Sequence, residues 1–218
     1  NNQHTTDHKV LINWKHYLKK GRLAFRTGYT GKDMKYVLKN QVPGKGMLPA
    51  IYTKSTQHGF LNRLSYSYDL TESLSLKTTL DANIHDVESR DTVRQTGYAK
   101  QRRNISGLLS LQKSFGDRFN LNLMLREDMV NEKFLPLVPY LGFDWRLTKK
   151  QGLYLKGNIA RNYHFPSLND LYWQPGGNPD LNPEKGISGE LGLEYNLNTQ
   201  PVNLHSELTA YRSDIENW

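Results

Sequence analysis

The sequence contains no cysteine, which excludes a disulfide framework and thiolate or zinc–cysteine chemistry. It lacks any apolar run of about eighteen residues, so no helix is expected to cross a membrane. Its seven histidines include no His-Glu-x-x-His pair, the spacing a zinc hydrolase uses. No Ser/His/Asp set is spaced to suggest a nucleophile. The polar opening Asn1-Asn2-Gln3-His4 has none of the character of a signal peptide, as in a mature, truncated or excerpted chain. A basic stripe is also missing. The formal charge is +8, but Lys and Arg fall singly or in pairs (Lys19-Lys20, Arg102-Arg103, Lys149-Lys150), and no nucleic-acid partner is expected. The mean hydropathy of −0.71 resembles that of a water-soluble domain, yet an average conceals strands that alternate between lipid and a wet lumen.

What the chain does have is period two, with period 3.6 nearly absent. Val10, Ile12 and Trp14 alternate with Leu11, Asn13 and Lys15. After Lys19-Lys20-Gly21 the pattern resumes in Leu23, Phe25, Thr27 and Tyr29. Phe60, Leu64, Tyr66, Tyr68 and Leu70 share a face, with Asn62 as the misfit. The series continues through Leu74–Ile84, Ile105–Leu111, Phe119–Leu125, Leu141–Leu147, Leu153–Ile159, Ile187–Tyr195 and Val202–Ala210. About ten strands result, many longer than the usual five or six residues. One face is apolar. The other carries Arg22, Arg26, Lys77, Asp81, Asn83, Asn120, Asn122, Arg126, Asp144, Arg146, Lys156, Asn158, Glu190, Glu194, His205 and Glu207.

Short turns are expected at 19–21, 71–73, 115–117, 148–151 and 198–201, and long loops at 39–52, 86–97 and 164–186, with a lesser break at 131–134. Antiparallel neighbours put all the short turns at one end and all the long loops at the other. That asymmetry, with aromatics near strand ends (Tyr17, Tyr29, Tyr66, Tyr68, Phe115, Phe143, Trp145, Tyr163, Tyr195), favours an all-β antiparallel transmembrane barrel. Two other readings stay open on pattern alone: a self-contained ten-stranded outer-membrane enzyme, and a soluble β-sandwich adhesin or lectin.

The densest stretch is Asn158–Leu193, in which two alternating segments flank a region rich in Pro, Gly, Asn and aromatics. A connection of this length is functional or disordered, and its prolines and aromatics argue for order. Within it, Phe165-Pro166-Ser167-Leu168-Asn169-Asp170-Leu171-Tyr172, then Gly177-Asn178-Pro179-Asp180-Leu181-Asn182-Pro183-Glu184, then Glu190-Leu191-Gly192-Leu193 resemble the signature of TonB-dependent outer-membrane receptors. Phe115–Leu121, Leu125–Asp128 and Leu70–Leu76 are similar to earlier hairpins of that family. His164 departs from the pattern, which usually shows an Arg pairing there; Arg161 lies a few residues earlier.

The resemblance implies an outer-membrane barrel of about twenty-two strands enclosing an N-terminal plug. Residues 1–218 would then be part of the barrel domain of a longer receptor. Trp218 is aromatic, but its alternates Glu216 and Asp214 do not suit a closing strand, so position 218 is not expected to be the native C-terminus. The implied function is active import without chemistry. A small-molecule ligand is taken at extracellular loops, with energy from the TonB complex acting through the missing N-terminal part. Outer-membrane lipids, and a surface lipoprotein, are the other partners implied. Asn169–Trp173 before Gly-Asn-Pro, and Tyr211–Asn217, are similar to the cobalamin-receptor branch, with siderophore, haem or glycan as alternatives.

Tyr163, His164, Tyr172 and Trp173 are the candidate ligand-binding residues, an aromatic platform at the barrel mouth; loop packing and interface anchoring are the plainer reading. Pro179, Pro183, Gly176 and Gly177 are expected to shape the loop, and Glu184 to anchor it. No resident cofactor is expected. Asp86, Glu88 and Asp91 offer the carboxylate oxygens calcium takes, and some cobalamin receptors order loops with calcium. Their spacing is not that of a dedicated site, and a solvated acidic loop is the simpler expectation.

Overall fold

Period-two sequence makes strands, and here the strands pair strictly with their neighbours. The computed structural model describes residues 1–148 and 152–217; the expected pair Lys149-Lys150 and the aromatic at 218 lie outside them. In order the elements are β1 (Asn2–Leu18), β2 (Gly21–Val42), β3 (Gly46–Thr71), β4 (Leu74–Asp91), β5 (Thr96–Phe115), β6 (Phe119–Val130), β7 (Lys133–Phe134), β8 (Val138–Arg146), β9 (Gly152–His164), α1 (Leu168–Tyr172), β10 (Glu184–Thr199) and β11 (Val202–Glu216). They form one antiparallel sheet in the order β1-β2-β3-β4-β5-β6-β8-β9-β10-β11, with the two-residue β7 folded back on β6. The all-β barrel-wall expectation holds.

The apolar face is turned outward. Phe60 is 49% exposed and Leu109 47%, as lipid-facing side chains are when no lipid is counted. The cross-strand row Val10–Tyr29–Phe60–Ile84 marks the upper rim of this band, with Tyr29 and Phe60 in ring contact at 5.2 Å. Asn62, the misfit on that face, is satisfied in place: it accepts from the Thr27 hydroxyl at 2.8 Å and donates to the Ala82 carbonyl at 3.2 Å. On the polar face, residues pair across strands: Arg63 with Asp81 at 2.6 Å, Asn120 with Asp144 at 2.8 Å, Asn158 with Glu190, and Lys156 with Glu194. These pairs tie neighbouring strands together and leave no acid–base couple set aside for catalysis.

Two of the expected long loops are not loops. Residues 39–52 and 86–97 are mostly strand, and the connections shrink to a turn between Val42 and Gly46 and another between Asp91 and Thr96. The 22- and 26-residue β2 and β3 are more than twice the length needed to cross a bilayer, about 9–11 residues. They rise beyond it as stalks. Hydrophobic alternation fades there because both faces leave lipid, while the backbone ladder continues unchanged. The end asymmetry survives, carried by tall hairpins and by the single long connection between β9 and β10.

The β4–β5 turn is held by the one fully buried large side chain among the described residues, Asp91, 1% exposed. Its Oδ1 accepts from the amides of Val93 (2.9 Å), Arg94 (3.2 Å) and Tyr52 (3.3 Å), and its Oδ2 faces Arg94 at 3.9 Å. Burial pushes this carboxyl up, but the three amides and the Arg94 charge together outweigh it and hold it below its usual value.

Candidate functional site

The β9–β10 connection is built from the backbone upward. Pro166 ends the strand, and Ser167 then starts the one helical turn with a capping box. The Asp170 amide donates to the Ser167 hydroxyl at 3.2 Å, and the Ser167 amide donates to the Asp170 carboxylate at 2.8 Å. The hydroxyl and amide of Ser167 hold the Asp170 carboxyl below its usual value. Ser-x-x-Asp after a proline is the sequence signal for this turn; set inside a loop without apolar periodicity, it gives no helix by pattern.

The rest of the loop is knitted to that turn. The Asn178 amide donates to the Asp170 carbonyl at 2.8 Å, and the Gly177 amide to the Trp173 carbonyl at 2.6 Å. Asn178 accepts from the Asp180 amide at 3.0 Å through its side chain, an Asx turn. At Gly177 a Cβ would fall 2.6 Å from the backbone N and O of Trp173, so only glycine fits. Glu184 pairs with His164 and closes the base of the loop. This geometry agrees with a shaping role for Gly177 and an anchoring role for Glu184.

A second strand receives the loop. Tyr98, Lys100 and Arg102 lie at alternate positions of β5 and so project on one side, the polar face. The Tyr98 hydroxyl donates to Asn169 Oδ1, and Arg102 donates to the Pro166 carbonyl at 2.8 Å. The Lys100 ammonium sits 4.5 Å from the Tyr172 ring centre, and the Arg102 guanidinium 4.8 Å from that of Phe165. Tyr98 and Tyr172 rings are 6.2 Å apart. None of these three β5 residues stands out in the sequence, although their alternation is visible once the strand is known to begin at Thr96.

The four candidate residues fall into two groups. Tyr163 and His164 border a cavity of about 510 Å³ on the polar face that Arg63, Lys77, Arg126 and Asp128 also line. Tyr172 and Trp173 are outside that lining, at the helical turn and its exit. Tyr163 is engaged: its hydroxyl donates to Asp128, which also holds Arg126 at 2.7 Å. Strict alternation would put Tyr163 on the outward face with Ile159. However, β8 begins only at Val138, and its ladder with β9 stops at Tyr140–Ala160. Beyond that point β9 has no neighbour on that side, and Tyr163 turns across the notch to β6. Asp86 accepts from Gln101 at 2.8 Å and Glu88 pairs with Arg90 at 2.8 Å, while Asp91 is committed to its turn. Among the described residues no three His, Asp or Glu side chains gather as a metal site.

An outward apolar band, an inward polar face, tall hairpins at one end and tight turns at the other describe a receptor wall. The family model for the TonB-dependent receptor-like β-barrel matches residues 1–218. The chain belongs to the TonB-dependent receptor β-barrel family. Members are transporters of the Gram-negative outer membrane, not enzymes. Among curated proteins, the chain is 40% identical over 60 residues to the vitamin B12 transporter BtuB of Vibrio vulnificus (strain YJ016), covering 28% of this chain and 9% of that one. Among solved structures, the siderophore receptor PirA of Pseudomonas aeruginosa superposes with a TM-score of 0.75 at 16% identity, over 98% of this chain and 39% of that one. The Serratia marcescens hemophore receptor HasR, solved as a double mutant with its hemophore HasA and heme, superposes with a TM-score of 0.76 at 11% identity, over 99% and 40%. The chain thus spans about two fifths of those receptors. Likenesses at that identity establish the fold and leave the ligand open.

Proposed function

We propose that this wall belongs to an outer-membrane receptor that captures a scarce small molecule at its extracellular rim and imports it with energy from the TonB complex, cobalamin being the leading ligand. The observation that carries the reading is the ordered β9–β10 connection. It is knotted through Asp170, Asn178 and Gly177, clasped to β5, and presents an aromatic surface at the mouth rather than a slack loop. Binding sites combine such apolar area with a few polar groups; Tyr172 and Trp173 supply the area, with Tyr163 and His164 bordering the passage below. The local similarity to a vitamin B12 transporter supports cobalamin over siderophore, haem or glycan. The TonB complex would engage a plug-bearing segment of the longer protein, outer-membrane lipids would cover the apolar band, and a surface lipoprotein is a further partner at the rim.

The test is a tryptophan-fluorescence titration of the plug-containing receptor with cyanocobalamin. Saturable quenching at micromolar concentration or below is expected, and Trp173→Ala should weaken binding about tenfold or more. Silence at micromolar concentration removes cobalamin. Uptake that persists in cells lacking the energy complex removes the transport reading itself. No resident cofactor is proposed, so a calcium chelator should leave the titration unchanged; a loss of affinity would assign calcium to the acidic stretch of β4.

A further inference from the structure

On the outward face above the apolar band, one cross-strand row differs from those around it. His4 pairs with Lys35, Lys35 with Lys54, and Lys54 with Arg90. Four basic side chains therefore stand side by side on β1, β2, β3 and β4, about 4.8 Å apart from strand to strand. All four residues are exposed, whereas Thr53, Ser55, Ser89 and Asp91, which alternate with them, are buried. Like charges directly opposite one another destabilise a ladder. The rows beneath avoid this: Asp33 accepts from Thr56 at 2.9 Å in the next row, and Asp86 accepts from Gln101 at 2.8 Å in the one below it. In the basic row only Arg90 has an acidic partner, Glu88. From Met34 to Tyr68 the sequence contains five Lys and Arg and no Asp or Glu, so nothing nearby in β2 or β3 neutralises Lys35 and Lys54.

We infer that this row is a binding site for the phosphorylated sugars of an outer-leaflet glycolipid. Height selects the partner. The row lies three ladder rungs of its face, six residues, above Tyr29 and Phe60. That is about 20 Å along the strands, or roughly 15 Å above the apolar band at a tilt of about 40°. The headgroup zone of a simple phospholipid reaches only about 5–8 Å beyond the hydrocarbon. Its phosphate is too low. A headgroup of several sugars bearing phosphates reaches the row, and its multiple negative charges match Lys35 and Lys54, held in a fixed array by the sheet. The assignment does not depend on which ligand the receptor imports.

The experiment uses the full-length receptor in detergent, titrated with three purified lipids: lipopolysaccharide with a phosphorylated core, the same lipid enzymatically stripped of core phosphate, and phosphatidylglycerol. Wild type should bind the phosphorylated form best, with affinity falling steeply as salt rises. Lys35→Gln/Lys54→Gln should lose about tenfold or more for that lipid alone, and Lys35→Arg/Lys54→Arg should keep it. Unchanged import by the Gln variant confirms that the barrel is folded. Equal binding of the phosphorylated lipid by wild type and the Gln variant overturns the site, as does equal wild-type binding of the stripped lipid or of phosphatidylglycerol.

Discussion

The lower and upper halves of this sheet share one backbone ladder and obey different side-chain rules. Below the Tyr29–Phe60 row, lipid on one side and a wet lumen on the other enforce alternation, so each residue's face follows from its parity. Above it, both sides are polar and alternation no longer reports the strand. Hydrogen bonds and charge take over: the buried carboxylate of Asp91 organises a turn, Tyr98, Lys100 and Arg102 clasp a loop, and a basic row stands on the outward face. A strand therefore continues in structure well past the point where its sequence pattern stops.

The comparison can be broken by moving the same charge between halves. Leu109→Arg places a cation in the apolar band and should cost about 2–4 kcal/mol of folding stability in lipid. Thr56→Arg, on the same face but two rungs above the Tyr29–Phe60 row, should cost about 0–1 kcal/mol. Reversible unfolding in lipid vesicles measures both; equal costs would put the membrane border in the wrong place. Within the upper half, Asp91→Ala leaves three amides without their acceptor, at a cost of about 1–3 kcal/mol. Amide exchange at Val93 and Arg94 should quicken while that at Leu80 and Ile84 stays slow.

The clasped loop sharpens the contrast on a smaller scale. Ser167→Ala should cost the helical turn about 1 kcal/mol, seen as faster exchange at Asp170. The same turn should respond to pH. Asp170 is held below the usual carboxylate value of 3.8. A lowered value means the ionised form is favoured by the fold, so its contribution is complete above 3.8 and is lost as pH falls further toward the folded value. Protection of Ser167 and Asp170 should fall in that acid range in wild type, and Asp170→Asn should abolish the dependence. A pH-independent turn would mean that the capping box does not hold it.

What was legible in the sequence follows the same division. The apolar band, the tight turns at 19–21 and 71–73, and the outward Phe60, Leu64 and Tyr66 are written in alternation. So is Gly116-Asp117, where Gly116 takes φ +65°. The stalks at 39–52 and 86–97 were hidden because polar residues and glycines in a strand with two wet faces look like loop. The site divides likewise. Pro, Gly and Asn announce the ordered loop, but the β5 residues that hold it lie some seventy positions away, as the Tyr98–Asn169 bond shows (a separation of 71). No local pattern encodes such a contact.

The early start of the β9–β10 connection beside a short β8 has an evolutionary consequence. Both feet of the connection rest on the wall, through the His164–Glu184 pair and the Tyr163–Asp128 bond across the notch. Everything between those feet can be lengthened, shortened or rewritten while the barrel keeps its register. Receptors built this way acquire new cargo by exchanging a cassette, and selection acts on the cassette without reopening the problem of folding in a membrane.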